Sequence, residues 1–257
     1  MNASTVKPLR TGPTLAAAHA AGAAVTAACV RAVSLGKALD ERAILQGIDL
    51  EIRAGEFVAV LGANGAGKST LLRLLATLTY ASSGELHLFG RRVTTDCREL
   101  RARIGLIGHQ SMLYRDLTAR ENLEFFGRLY DVPDAASRAA RLLEVMGLSD
   151  RADDPVKTFS RGMVQRVAIA RALVHDPDLI LADEPFDGLD APSVAATEEL
   201  LRRLHENGKT VVLVNHDIAQ SLKVARRIVV LSRGRLRVDA APRNLDAATV
   251  LAEAGAA

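Results

Sequence analysis

The sequence predicts an α/β protein with a mainly parallel sheet at its core and an inserted helical subdomain. Three observations carry this. Short apolar runs suited to buried strands recur at Phe57–Leu61, Ile104–Ile107, 178–182, Thr210–Val214 and 228–231, with helical stretches between them. Such alternation gives parallel strands with helices on the sheet faces. The run at Phe57–Leu61 opens into a glycine-rich loop followed by helix formers. Between residues 118 and 174 the pattern changes to helical spacing.

In chain order, residues 1–27 are Ala-rich with scattered Gly, Pro and Thr and read as a disordered tail. Lys7 and Arg10 before the alanine run imitate a signal peptide, but His19 and Gly22 leave its apolar centre weak. The main domain is expected at 28–240. Residues 29–33 and 44–52 are strand-like, and in 48–52 apolar and charged residues alternate, as on a half-buried strand. Residues 53–56 turn into the strand before the glycine loop. Another strand is expected at 85–89, closed by Gly90. The helical subdomain spans about 111–175, with helices at 118–130, 135–146 and 162–174. Thr118 with Glu121 makes a capping-box pattern at the first of these. Residues 241–257 read as a helical tail. No apolar stretch approaches the ~18 residues of a membrane-spanning helix.

The chain has 257 residues, 49% hydrophobic, enough for one large domain or two modest lobes. A net charge of +3 and a pI near 9.1 are too slight to specify a polyanionic partner. Aromatics make up 4% and Trp is absent, so stacking platforms are few and no nucleic-acid partner is expected. Cys29 and Cys97 are far apart and neither lies in a C-x-x-C pair. This argues against a disulfide framework or a structural zinc site and suits a reducing cytoplasm.

Residues 62–69 read Gly62-Ala-Asn64-Gly65-Ala66-Gly67-Lys68-Ser69, a complete G-x-x-x-x-G-K-[ST] loop between strand and helix. Its glycines let the backbone close around phosphates, and the following helix offers free N–H groups and a partial positive charge. Lys68 is placed to bridge terminal phosphates, and the Ser69 hydroxyl to hold Mg²⁺. A second element is the apolar strand ending in Asp183-Glu184-Pro185. Asp183 would lie near the metal, and Glu184 would accept a hydrogen bond from a water aligned on the γ-phosphate.

With Gln110 in Gly108-His109-Gln110, Ser160-Arg161-Gly162 opening a helix, Asp187-Gly188 after the carboxylates and His216 after the next strand, the chain resembles ATP-binding subunits of ABC transporters over about residues 28–240. The resemblance implies a P-loop NTPase fold of the ABC ATPase type, with an N-terminal antiparallel β subdomain before the mainly parallel core, and an ATPase activity using ATP and Mg²⁺. It implies that Gly62, Asn64, Gly65, Ala66, Gly67, Lys68, Ser69 and Thr70 surround the triphosphate. Ser69, Gln110 and Asp183 would serve the metal, and Glu184, His216 and Gln110 the chemistry. It also implies that Ser160, Arg161 and Gly162 face the γ-phosphate held by a second ATPase subunit, with a homodimer as the expected assembly. A separate transmembrane permease would place the chain at the cytoplasmic face of the membrane. Two positions depart from the family pattern. Arg161 replaces the first of two glycines, and no aromatic lies between residues 28 and 56, so Leu39 takes the position beside adenine.

The stretch Ile107-Gly108-His109-Gln110, followed by Leu117-Thr118-Ala119-Arg120-Glu121-Asn122-Leu123, most resembles the haem exporter ATPase of cytochrome c biogenesis. It also resembles the ATPases of ABC-2 type multidrug and antibiotic exporters. A soluble ABC ATPase of DNA repair or translation is a rival of another class, but two cassettes, a coiled-coil insert or zinc motifs are not found. A kinase or GTPase is a further rival, and the Asn-Lys-x-Asp guanine-reading motif is missing.

Overall fold

The structure is a computed structural model that describes residues 28–108 and 110–255. The expected tail at 1–27 and the loop residue His109 lie outside the described residues.

Apolar runs without polar alternation must be covered on both faces. Five of them form the parallel part of a six-stranded sheet: β3 (Phe57–Leu61), β6 (Ile104–Ile107), β7 (Leu179–Asp183), β8 (Thr210–Val214) and β9 (Arg227–Ser232). A sixth strand, β10 (Arg235–Ala240), pairs antiparallel with β9, giving the order β10-β9-β3-β8-β7-β6. The remaining strands form an antiparallel sheet of β1 (Ala28–Leu39), β2 (Arg42–Arg53), β4 (Ser83–Leu88) and β5 (Arg91–Arg92), ordered β2-β1-β4-β5.

Side chains alternate across the parallel strands and divide the interior in two. Phe57, Ala59, Leu61, Ile180, Ala182, Val211 and Leu213 face one core. That core is covered by α3 (Ala119–Leu129), α4 (Ala135–Val145), α5 (Arg161–Leu173) and α6 (Ala191–Glu206). Val58, Val60, Leu179, Leu181, Val212 and Val214 face the other, which α1 (Lys68–Leu75) shares with the antiparallel sheet and α2 (Arg98–Arg101). Burying each such Val, Leu or Ile side chain contributes roughly 1.5–3 kcal/mol. The expected fold class is therefore met, with the antiparallel sheet laid over one face of the parallel one.

Some elements exceed the sequence reading. β1 and β2 are long partners joined at Asp40 and Glu41, which both take positive φ. β10 has an alternating half-exposed pattern with Arg235, Arg237 and Asp239 outermost, a period-two signal that the sequence itself carries. The C-terminal stretch holds α8 (Ala247–Ala254), which places Val250 and Ala254 in the core beside β9 rather than in solvent. Before it, α7 (Ile218–Val224) links β8 to β9.

The helical subdomain is fastened to β6. Gly105 is so close to α5 that a Cβ there would sit 2.5 Å from the Ala172 carbonyl oxygen. The buried Arg171 guanidinium donates to the Leu106 carbonyl at 2.6 Å, and Arg138 caps the end of α5 by donating to the carbonyls of Leu173 and Val174. Thr118 and Glu121 form the capping box expected at α3.

Candidate active site

A parallel sheet brings the carboxyl ends of its strands to one edge, where the departing loops form a crevice. The register shows which residues meet there. Val60 of β3 and Asp183 of β7 both pair with Val214 of β8, and Ile107 of β6 pairs with Ala182 of β7. Gly62, Gln110, Asp183, Glu184 and His216 thus leave the sheet along one edge.

The glycine loop is clamped from below and behind. Gly62 has φ of 150°, and a Cβ on it would lie 2.2 Å from the Leu231 carbonyl oxygen of β9. Gly67, at φ of 104°, precedes α1, and a Cβ there would meet the Leu45 side chain at 2.7 Å. The turn between β9 and β10 ties the loop to the long hairpin: the Gly234 N–H donates to the Ala66 carbonyl at 3.1 Å, and the Gln46 N–H donates to the Gly234 carbonyl at 2.8 Å. Sequence reading missed this support because β10 and its turn were not recognised. Ala66 is buried, Asn64 and Gly65 are exposed at the crown of the loop, and Thr70 is half-buried. No side chain caps α1, so its first N–H groups remain available to an anion.

Lys68 is 6% exposed, and its Nζ donates to the carbonyls of Gly62 at 2.7 Å and Ala63 at 3.1 Å. Burial pushes its pKa below the ordinary lysine value, and the charges of Glu184 and Asp183 oppose that shift. Ser69 Oγ stands 3.5 Å from Asp183 Oδ1. Neighbouring oxygens on an octahedral Mg²⁺ bound at about 2.1 Å are about 3 Å apart, so a small approach lets both ligate one ion. Among the described residues no group of three or more His, Cys, Asp or Glu forms a metal cage. The donor set therefore fits Mg²⁺ that completes its shell with phosphate and water oxygens.

Glu184 adopts φ of 50°, and its N–H donates to the Val214 carbonyl at 2.9 Å. This left-handed turn at a non-glycine residue costs about 1–3 kcal/mol and redirects the carboxylate away from the line of β7. His216 Nδ1 lies 3.8 Å from Glu184 Oε2. Behind it, the buried Asn215 accepts from the His216 N–H at 2.9 Å and donates to Gln220 Oε1 at 3.0 Å. Asn215 was not singled out from sequence; a polar residue closing an all-apolar strand was the available signal.

Gln110 is exposed beyond the end of β6. Leu39 is 52% exposed at the tip of the β1–β2 hairpin, opposite Arg42, on the hairpin whose Leu45 touches Gly67. Ser160 caps α5 by accepting from the Met163 N–H at 3.3 Å, with Gly162 in the first turn against Ser193. Arg161, expected to face phosphate, instead points at its own chain: its Nη2 donates to the carbonyl and the carboxylate of Asp187, each at 3.1 Å.

The family model described as ABC transporter matches residues 45–187, more than half of the chain. The chain belongs to the ABC transporter family. It is an ATP-binding ATPase subunit of an ABC transporter, and the kinase and GTPase readings fall away. It is 35% identical over 209 residues to the linearmycin resistance ATP-binding protein LnrL of Bacillus subtilis, covering 80% of this chain and 67% of that protein. It is 37% identical over 211 residues to the Nod factor export ATP-binding protein I of Burkholderia pseudomallei, covering 81% and 69%. A dimeric post-hydrolysis state of the ATP-binding cassette MJ0796 bound to ADP and Pi superposes with a TM-score of 0.76 at 32% identity, covering 84% of this chain and 100% of that one. For cbiO1 from Clostridium perfringens, part of the transporter complex cbiONQ, the TM-score is 0.78 at 26% identity, covering 87% and 92%.

Proposed function

We propose that this ABC ATPase hydrolyses Mg-ATP at a site completed by a second copy of the chain and powers an exporter whose membrane path lies in a separate permease. The observation that carries the reading is the strand edge itself, where Lys68, Ser69, Asp183, Glu184 and His216 converge. A second helix start, that of α5 at Ser160 and Gly162, lies on the helical subdomain with Ser160 exposed, and faces the other chain in this reading.

Lys68 and the first N–H groups of α1 bind and orient the triphosphate. Ser69 and Asp183, with Gln110 approaching from β6, would hold Mg²⁺, which supplies charge neutralisation on the phosphate oxygens. Glu184 accepts the hydrogen bond of the attacking water and polarises it, while His216 fixes the far side of that water or the γ-phosphate. Leu39 lends an aliphatic surface to adenine. Dimers in the structural relative and the two anion sites in this chain support ATP as the bridge between copies.

No helix among the described residues is long and apolar enough to cross a membrane. The relative cbiO1, part of the transporter complex cbiONQ, supports a separate permease and with it a peripheral position at the cytoplasmic face. The helical subdomain offers a docking face. Met112, Tyr114, Phe125 and Leu129 are 45%, 53%, 41% and 61% exposed, and the Tyr114 ring packs edge-on to Phe125 at 5.1 Å. Exposed aromatic clusters of this kind mark interaction sites. Exporter relatives named for resistance and for Nod factor export favour the antibiotic or multidrug reading of the cargo. The haem reading rests on the stretches 107–110 and 117–123, of which His109 lies outside the described residues, and neither of the two relatives named above is a haem exporter. Size-exclusion chromatography of Glu184→Gln protein tests the shared site. Mg-ATP should convert it to a dimer, and an ATP-loaded monomer in the presence of the permease would overturn the reading.

A further inference from the structure

We propose that Arg161 and Asp187 form a brace within one chain that ties the anion-facing start of α5 to the turn immediately after Glu184. Through it, a phosphate engaged by Ser160 and Gly162 on one side would order the chain's own catalytic turn on the other. This use of the brace rests on the shared-site reading above; the brace itself does not.

The contact is two-pronged. Arg161 Nη2 donates to the Asp187 carbonyl and to its carboxylate Oδ2, each at 3.1 Å. The guanidinium lies directly over Gly188, where a Cβ would be 2.0 Å from Arg161 Cζ. Gly188 also has φ of 64°, so the turn needs glycine twice, for its backbone and for the arginine that covers it. One helical turn further along α5, Gln165 Nε2 donates to the Pro185 carbonyl at 3.2 Å. Residues 185, 187 and 188 are therefore all held from α5. At its far end, Asp190 begins α6 by accepting from the Ser193 N–H at 3.1 Å, and Gly162 abuts Ser193.

Arg161 and Asp187 are 64% and 42% exposed, so the ion pair alone is weak. Weakness suits a contact that must give way or tighten with the state of the opposite chain. Arg161 acts here as a positioning residue, through the turn, rather than by touching the reacting atoms.

Two measurements separate the brace from its use. Amide hydrogen exchange of residues 185–190 in the nucleotide-free chain needs no dimer. Arg161→Met and Asp187→Ala should each raise exchange there by roughly two- to fivefold, the range an exposed pair allows, and the double variant no further. Unchanged exchange, or additive increases, would overturn the brace. ATP turnover then reads its use: each single variant should slow turnover, and the double variant should be no slower than the worse single. Gly188→Ala displaces the guanidinium and also strains the turn at φ of 64°, so it should slow turnover at least as much as Arg161→Met. Should Asp187→Ala leave turnover intact while Arg161→Met lowers it, Arg161 acts on phosphate directly and the coupling is wrong. If the exchange results hold but Glu184→Gln protein never dimerises with Mg-ATP, the brace stands and the shared-site reading falls.

Discussion

His216 Nδ1 stands 3.8 Å from Glu184 Oε2, across the ends of the adjacent parallel strands β7 and β8. That separation is too long for a good direct hydrogen bond and short enough for both groups to address one small ligand between them. Glu184 reaches this position by its left-handed turn, and His216 by the Asn215 side chain behind it.

Glu184→Gln keeps the side-chain size and removes the charge that polarises water. Turnover should fall by roughly 10²-fold or more, while ATP binding survives on Lys68, Ser69 and Asp183. His216→Ala should also slow hydrolysis. Phosphate release and nucleotide binding measured in parallel distinguish the two effects. Equal loss of binding and turnover would remove Glu184 from the chemistry.

Lys68→Ala should abolish hydrolysis and strongly weaken ATP binding, because water does not replace a buried cation held against phosphates. Ligand at 100 times its dissociation constant stabilises a protein by about 2.7 kcal/mol. The thermal shift that Mg-ATP gives the native chain should therefore vanish in the variant. A retained shift would mean that the triphosphate is held elsewhere.

Asn122 is fully buried and organises the loop before α3. Its Oδ1 accepts from the Tyr114 N–H at 2.8 Å, and its Nδ2 donates to the carbonyls of Tyr114 and Thr118, each at 2.9 Å. Asn122→Ala leaves the Tyr114 N–H without its acceptor, while the two carbonyls keep backbone donors, and should cost about 1–3 kcal/mol in urea denaturation. Amide exchange should rise at 114–118, and crosslinking of that loop to a permease should weaken, if the aromatic face is the docking face.

Burial pushes the Cys29 thiol from an ordinary 9.0 up to about 11. Below pH 9 both folded and unfolded chains keep the proton. Between the two values the unfolded chain ionises first, so stability falls by about 1.4 kcal/mol per pH unit as pH rises. Cys29→Ala lacks this component. Whatever the stability difference between native chain and variant at pH 8, it should shift in favour of the variant by about 2 kcal/mol at pH 10.5. A constant difference would show that the thiol titrates normally.

Much of the chain was legible from local pattern. Continuous apolar runs such as Phe57–Leu61 can satisfy burial on two faces in few ways, and a glycine loop between strand and helix leaves little choice of chemistry. The capping box at Thr118 and Glu121 is likewise a short-range device, readable within four residues. These features depend on neighbours in sequence, and so the ATPase class, the strand ends that carry Asp183 and Glu184, and the helical insertion could all be read before any fold was known. The tertiary structure decided what depends on approach between distant segments. Only the fold puts Leu231 and Gly234 behind the glycine loop, seats α8 in the core, and gathers Tyr114 and Phe125 into one exposed face. Arg161 shows the difference most directly. Its position opening α5 was plain, but its partner lies 26 residues away on the turn after Glu184, and only the packing of α5 beside that turn brings guanidinium and carboxylate together.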